Sequence, residues 1–222
     1  VNYVENHDNQ TLYDLNAFKL PLDTGIDDRA RVQVLGLATT AFSQGIAYFH
    51  AGSELLRSKS MDRNSYDSGD WFNRLDWSGQ DNFFGSGLPP RRDNGASWDL
   101  MRPRLADAAL RPAPEQIAYT RDAFRDLLRI RASSALFRLR SAAEVGARLR
   151  LLNTGPAQVP TVLVGHLDGE GYPGAGFREL LYFINVDPQA REIVLPGEAG
   201  KAYHLHPVHR DAAAADPRPA AA

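Results

Sequence analysis

The 222 residues predict an α/β part followed by an all-β part, and three observations carry this. A short apolar run at residues 1–6, a helical pattern at residues 27–44 and a second apolar run at Ile46–Phe49 give strand, helix and strand within about fifty residues. That is the spacing of a βαβ unit with parallel strands. Residues 53–113 then show no sustained period. From about Leu136 onward, short β-rich segments alternate with Gly/Pro/Asn turns, the pattern of a small antiparallel sandwich. The boundary is expected near residues 133–138, with one domain over 1–135 and a second over 136–222.

Each element has a local reason. The first strand is short and breaks into His7-Asp8-Asn9, so it ends in a polar turn. In the following helix, Asp27 and Asp28 suit the first turn, while Val34, Leu35, Leu37, Ala38, Ala41 and Phe42 form a broad apolar face. Gly45 is a natural stop. The long middle stretch carries Trp71, Phe72, Trp77, Phe83, Phe84 and Trp98 among Gly, Pro, Asn and Asp, as functional loops do. Residues 114–132 return to a helix, with Pro114 in its first turn and Ile117, Phe124, Leu127 and Leu128 on one face. Val159–Leu167, Glu179–Val186, Arg191–Leu195 and Tyr203–Val208 are the expected strands. Gly169–Gly176 reads as a hairpin loop, and the Ala/Pro-rich tail from Ala212 as frayed.

Composition narrows the chemistry. There are 25 Lys+Arg against 27 Asp+Glu, 43% hydrophobic residues and no cysteine. Zero cysteine excludes a disulfide framework, a zinc finger and a thiol nucleophile. The balanced charge speaks against a nucleic-acid partner, and no apolar run approaches the ~20 residues that span a bilayer. Residues 1–100 hold 9 basic and 14 acidic side chains, residues 101–222 hold 16 and 13, so the site-building polarity is concentrated early. The opening Val1-Asn2-Tyr3-Val4 has no initiator Met or signal pattern and reads as a strand entered from something upstream, which leaves localisation open.

Two polar clusters stand where strands end: Glu5-Asn6-His7-Asp8-Asn9 and His50-Ala51-Gly52-Ser53-Glu54. Loops leaving strand ends are where α/β barrels put their chemistry. An adjacent His and Asp offer a donor and an acceptor side by side, which suits neighbouring sugar hydroxyls. Metal chemistry is not expected. Asp62–Asp67 begins like a calcium loop, but Tyr66 stands fifth, Asp67 replaces the glycine and no Glu stands twelfth. His204 and His206 share a strand face without a carboxylate ligand beside them.

Tyr3-Val4-Glu5-Asn6-His7-Asp8-Asn9-Gln10-Thr11-Leu12 closely resembles the fourth conserved segment of the α-amylase superfamily, glycoside hydrolase family thirteen. Gly45-Ile46-Ala47-Tyr48-Phe49-His50-Ala51-Gly52-Ser53-Glu54 and the run from Leu56 through Asp62-Arg63-Asn64-Ser65-Tyr66 and Ser68-Gly69-Asp70-Trp71-Phe72-Asn73 to Trp77 look like the eighth-strand region of its pullulanase and limit-dextrinase branch. The resemblance continues through Met101–Leu105 and Phe137–Leu139 to Asn153–Pro156.

The resemblance implies the last two strand–helix units of a (β/α)8 barrel followed by a C-terminal β-sandwich. It implies hydrolysis of α-1,6-glucosidic branch linkages in pullulan, limit dextrins or starch, with an α-glucan as partner and no cofactor. A retaining glycosidase uses two carboxyl groups ~5 Å apart. In the family both precede the segment matching Val1, so the isolated chain is expected to be inactive. Asp8 maps onto the third catalytic carboxylate, expected to stabilise the transition state, and His7 onto a histidine donating to the same sugar. Asn9, Arg63, Asp70, Trp71 and Asn73 map onto substrate-binding positions. One departure stands at Gly95-Ala96-Ser97-Trp98, where relatives often carry an acidic residue before the Trp. Another α-amylase-type enzyme, such as an isoamylase or a branching transferase, and a noncatalytic glucan-binding module remain as alternatives.

Overall fold

The computed structural model describes residues 1–221, which fall into two compact units. The first comprises Tyr3–Thr40 and Tyr48–Arg125 and is built from helices and turns. Helix α1 (Leu12–Lys19) starts at Thr11, whose hydroxyl accepts from the Asp14 N–H. Helix α2 (Ile26–Ala41) has the expected acidic first turn, Asp27 and Asp28. The turn between them closes on Arg29, a buried guanidinium donating to the carbonyls of Asn16 (3.2 Å), Pro21 (2.7 Å) and Thr24 (3.0 Å).

The middle stretch is not structureless. It holds α3 (Gly69–Asn73), α4 (Arg91–Asn94) and α5 (Trp98–Ala106), with single 3-10 turns between. Helices of one to three turns are too short to show a 3.6-residue period, which is why the pattern looked like loop. They pack around Tyr13, Leu56, Met61, Phe84, Met101 and Leu110. The Tyr13 hydroxyl donates to the Leu110 carbonyl at 2.7 Å, and its ring meets Phe84 edge-on at 5.7 Å.

The second unit comprises Val1–Asn2, Ala41–Ala47 and the chain from Asp126 onward. It receives the end of α6 (Pro114–Ser133), then α7 (Ala142–Arg148), capped by the Ser141 hydroxyl. Strands β1 (Leu149–Leu152), β2 (Val162–Asp168) and β3 (Glu179–Asn185) form one antiparallel sheet in the order β1-β2-β3. Asp168 pairs with Glu179 across the connection, so Gly169–Gly176 does join a hairpin. Gly165 pairs with Tyr182, and a Cβ on Gly165 would stand 2.0 Å from the Tyr182 ring. That vacancy lets Tyr182 reach Phe42 at 5.7 Å and Phe137 at 6.2 Å.

Three expectations need correction. The runs at residues 1–6 and 46–49 are not full strands. They meet in a single parallel bridge, Asn2 with Ala47, and the Asn2 N–H donates to the Ile46 carbonyl at 2.8 Å. Parallel strands reach a ladder only inside a larger sheet, and among the described residues each segment has just the other. Of the four expected strands, Arg191–Leu195 and Tyr203–Val208 form none, and the described residues of this unit hold one three-stranded antiparallel sheet. Val194 is exposed, and Pro207 lacks the N–H a ladder needs. Pro207 instead opens a short helix, α8 (Pro207–Arg210), with the His206 ring accepting from the Val208 N–H. His204 and His206 therefore do not share a strand face.

Candidate active site

The first unit brings the two polar clusters together. Glu5 is buried, and its carboxylate accepts from the Leu12 N–H and the Ser53 hydroxyl. His50 Nδ1 lies 3.6 Å from the same carboxylate. The Leu12 N–H belongs to the first turn of α1, whose unpaired donors favour an anion. Glu5 therefore ties the entry of the turn to α1 and to the second cluster at once.

Beyond this anchor the turn lifts into solvent. His7 and Asp8 are exposed, with Nδ1 of one 3.4 Å from Oδ1 of the other. The Asp8 N–H donates to the Asn6 side chain at 2.8 Å, and Asn9 follows in the left-handed region at φ +58°. An Asn tolerates that conformation better than most residues. A donor and an acceptor thus stand outward, adjacent and unburied, on a backbone that is held.

The holding comes from the Leu56–Ser68 loop. Lys59 is 1% exposed, and its ammonium donates to the carbonyls of His7 (3.2 Å) and Asn9 and to the Ser65 hydroxyl. Ser65 in turn donates to the His7 carbonyl. Lys59 is fixed from behind by Asp14 on α1, which accepts from the Lys59 N–H at 2.8 Å and the Ser58 hydroxyl at 2.5 Å. Burial pushes the Asp14 carboxyl up to about 6, against the pull of these bonds. Burial likewise lowers the Lys59 ammonium, while the charges of Asp62 and Asp14 act to raise it.

Arg63 is exposed on the same loop, its N–H bonded to the Asn94 side chain at 3.0 Å, and its guanidinium forms no ion pair among the described residues. Asp70 is exposed in the first turn of α3. Trp71 is neither core nor free on both faces. The Arg74 guanidinium covers its ring at 3.8 Å from the centroid, and its indole N–H donates to the Ser86 carbonyl at 3.1 Å. Asn73 gives its amide nitrogen to the carbonyls of Ser65 and Gly69, both at 2.9 Å, and so braces the loop. Asp62 is fully buried. One of its oxygens accepts from the Asn94 side chain at 2.7 Å, and the other has no partner among the described residues.

A family model for alpha-1,6-glucosidases, pullulanase-type, C-terminal, matches residues 79–222. The chain belongs to this pullulanase-type family. It is 44% identical, over 94% of its length, to pullulanase 1, chloroplastic, of Arabidopsis thaliana, of which it covers 22%. It is 44% identical over 76% of its length to a pullulanase of Klebsiella aerogenes, covering 15% of that protein. Among solved structures, Klebsiella pneumoniae pullulanase complexed with maltotriose matches with a TM-score of 0.80 and 41% identity, over 86% of this chain and 18% of that one. The chain therefore spans about a fifth of the length of the pullulanases it resembles.

Sequence reasoning on this pullulanase-type chain missed Lys59 and Asp14. A lysine between two serines and an aspartate within a helix carry no periodic signal of burial. The second unit holds one further polar group, His166, Glu179 and Glu198, whose ligand atoms lie within 4.8 Å of one another. The Lys201 ammonium already bonds both carboxylates, at 2.7 and 2.8 Å, and the Tyr203 hydroxyl bonds both at 2.7 and 2.6 Å. A protein cation fills the place a metal would take. No described helix is long and apolar enough to cross a membrane.

Proposed function

We propose that this chain is the part of a pullulanase-type α-1,6-glucosidase that carries its third catalytic carboxylate, Asp8. The enzyme cleaves α-1,6 branch linkages of pullulan, limit dextrins or starch with retention of configuration, and its nucleophile and acid/base come from a segment preceding this one. The observation that carries the reading is the exposed His7–Asp8 pair on a backbone pinned by Glu5 and Lys59, in a chain of this family. Asp8 accepts hydroxyls of the sugar at the cleaved bond and faces the positive charge that grows as the ring flattens toward an oxocarbenium ion. His7 donates to the same sugar. Asn9, Arg63, Asp70 and the uncovered face of Trp71 meet glucose units further along, and Asn73 keeps that wall in shape.

Residues 1–135 are read as the last two strand–helix units of a (β/α)8 barrel, and residues 136–222 as the β domain that follows, with the three-stranded sheet as one layer of its sandwich. The parallel bridge between Asn2 and Ala47, with α2 between them in sequence, supports the barrel reading. So do the exposed apolar side chains of Val1 and Ile46, which further strands would cover.

The test is product analysis of the intact enzyme on pullulan, with Asp8→Asn beside it. Cleavage of α-1,6 linkages is expected, and the substitution is expected to lower kcat by roughly 10²–10³, as loss of one transition-state contact does. A substitution that raised KM and spared kcat would make Asp8 a ground-state contact and overturn its role. Cleavage of α-1,4 linkages, or glucan binding without turnover, would turn the reading to the rival enzymes or to a binding module.

A further inference from the structure

Lys59 is a buried ionisable group to which the catalytic reading gives no chemical step. Its side chain is buried, and its ammonium meets two carbonyls and a hydroxyl rather than a carboxylate. Burying an ammonium is costly unless its hydrogens are all spoken for. Here all three are, and two go to the carbonyls on either side of Asp8. Ser65 adds a second bond to one of them. The Asp8 N–H is bonded as well, to Asn6. The peptide group before Asp8 is thus held at both its His7 carbonyl and its Asp8 N–H, and the peptide group after Asn9 at its carbonyl, so the turn is pinned on both sides of Asp8 although the side chain itself stands in solvent.

The clamp is positioned in its turn. Ser60 and Met61 follow Lys59 in the left-handed region, at φ +53° and +65°. The Ser60 N–H bonds the Ser58 hydroxyl at 2.8 Å, and the Ser60 hydroxyl donates to the Gly87 carbonyl at 2.6 Å. Such backbone is strained for residues with a side chain and persists only where its surroundings over-determine it. Two strained residues and a buried charge are spent on placing one ammonium under one exposed turn. Pure packing would be served by a methionine at Lys59.

We propose that Lys59 is a positioning residue for Asp8: its ammonium gathers the His7 and Asn9 carbonyls and so holds the Asp8 carboxylate at the angle the flattened sugar requires. This rests on the reading of Asp8 given above. A displacement of about 1 Å at a reacting group costs on the order of 10² in rate, so the effect belongs to kcat and not to affinity.

The test uses the intact enzyme and three single variants, Lys59→Met, Ser65→Ala and Asp8→Asn, with the Lys59→Met/Asp8→Asn double variant. Lys59→Met keeps the stem and is expected to lower kcat roughly 10²-fold with KM changed a few-fold at most. Because Lys59 acts through Asp8, its loss is expected to add little once Asp8 is gone, and the double variant should turn over as slowly as Asp8→Asn alone. Losses that multiply, or an unchanged kcat in Lys59→Met, would overturn the proposal. Ser65→Ala removes one arm of the clamp and leaves the buried charge, so it serves if Lys59→Met does not fold. A smaller kcat loss, again absent in the Asp8→Asn background, is expected, and a change confined to melting temperature would overturn the proposal. If Asp8→Asn itself left kcat intact, the reading of Asp8 would fail, an outcome separate from the behaviour of Lys59.

Discussion

Of the buried cations that gather backbone carbonyls in this molecule, Arg131 in the second unit and Lys59 in the first stand at different kinds of place. In the second unit, Arg131 donates to the carbonyls of Ala41 (2.6 Å), Ser43 (2.9 Å) and Gly45 (2.9 Å). Ala41 ends α2, so its carbonyl is one that any helix leaves without a partner, and Ser43 and Gly45 (φ +84°) belong to the turn that follows. In the first unit, Lys59 gathers carbonyls of a turn that belongs to no helix or sheet. The planar guanidinium finishes a regular element whose geometry the helix already sets. The ammonium, with three rotatable hydrogens, stands in for an element that is not there. A turn can be exposed at its side chains and held in its backbone, provided something buried replaces the missing ladder.

The largest expected effect that separates the two is Arg131→Met. Three carbonyls lose a charged donor, and a stability loss on the order of 3 kcal/mol is expected, with kcat of the intact enzyme unchanged. Chemical denaturation beside steady-state kinetics checks it. A fall in kcat at temperatures where the variant stays folded would erase the distinction drawn between Arg131 and Lys59.

The sheet offers a second contrast, since its order rests on side-chain fit and not on a buried charge. Gly165→Ala puts a methyl group into the Tyr182 ring, which the Phe42 and Phe137 contacts hold in place. A cost of about 1–3 kcal/mol is expected from overpacking. The combination with Tyr182→Leu should recover part of it, and a double variant no better than Gly165→Ala would show that the strain lies elsewhere.

The smallest expected effect is in pH, where the two units differ in sign. Asp14 has its folded pKa raised from 3.8 to about 6 by burial. Its contribution to stability is full below pH ~4 and is lost as pH rises through about 6, because the unfolded chain ionises first. Glu179 is the reverse. Its bonds from Lys201 and Tyr203 lower its folded pKa from 4.5 to about 2. It contributes above pH ~4.5 and loses that contribution as pH falls toward 2, weakly because the site is partly solvated. Melting curves from pH 3 to 7 are expected to lose the near-neutral slope in Asp14→Asn and to shrink the acid-side loss in Lys201→Ala. Identical profiles for both variants and the parent would contradict both assignments.

Much of this was legible in the residues themselves. The α2 pattern with its acidic start, the Pro114 start of α6, the β2–β3 hairpin and the polar turn after residue 6 all follow from local chemistry, because periodicity and capping act within a few residues, although α2 ends at Ala41, short of the Gly45 stop expected for it. The motif from Leu56 to Trp77 carried the family. Tertiary structure decided the rest. A run such as Ile46–Phe49 has strand character, but a ladder needs partners that its own sequence does not contain, so the described chain has a bridge there. Arg191–Leu195 has the composition of a strand and is left irregular. Trp71 could have been core or platform, and Arg74 settled one of its faces. Lys59 and Asp14 look like surface residues until the Glu5–Asn9 turn, α1 and the Leu56–Ser68 loop are brought within hydrogen-bond distance of each other. Burial of a charge depends on how many polar groups converge on it in space, and that convergence has no period for a sequence to display.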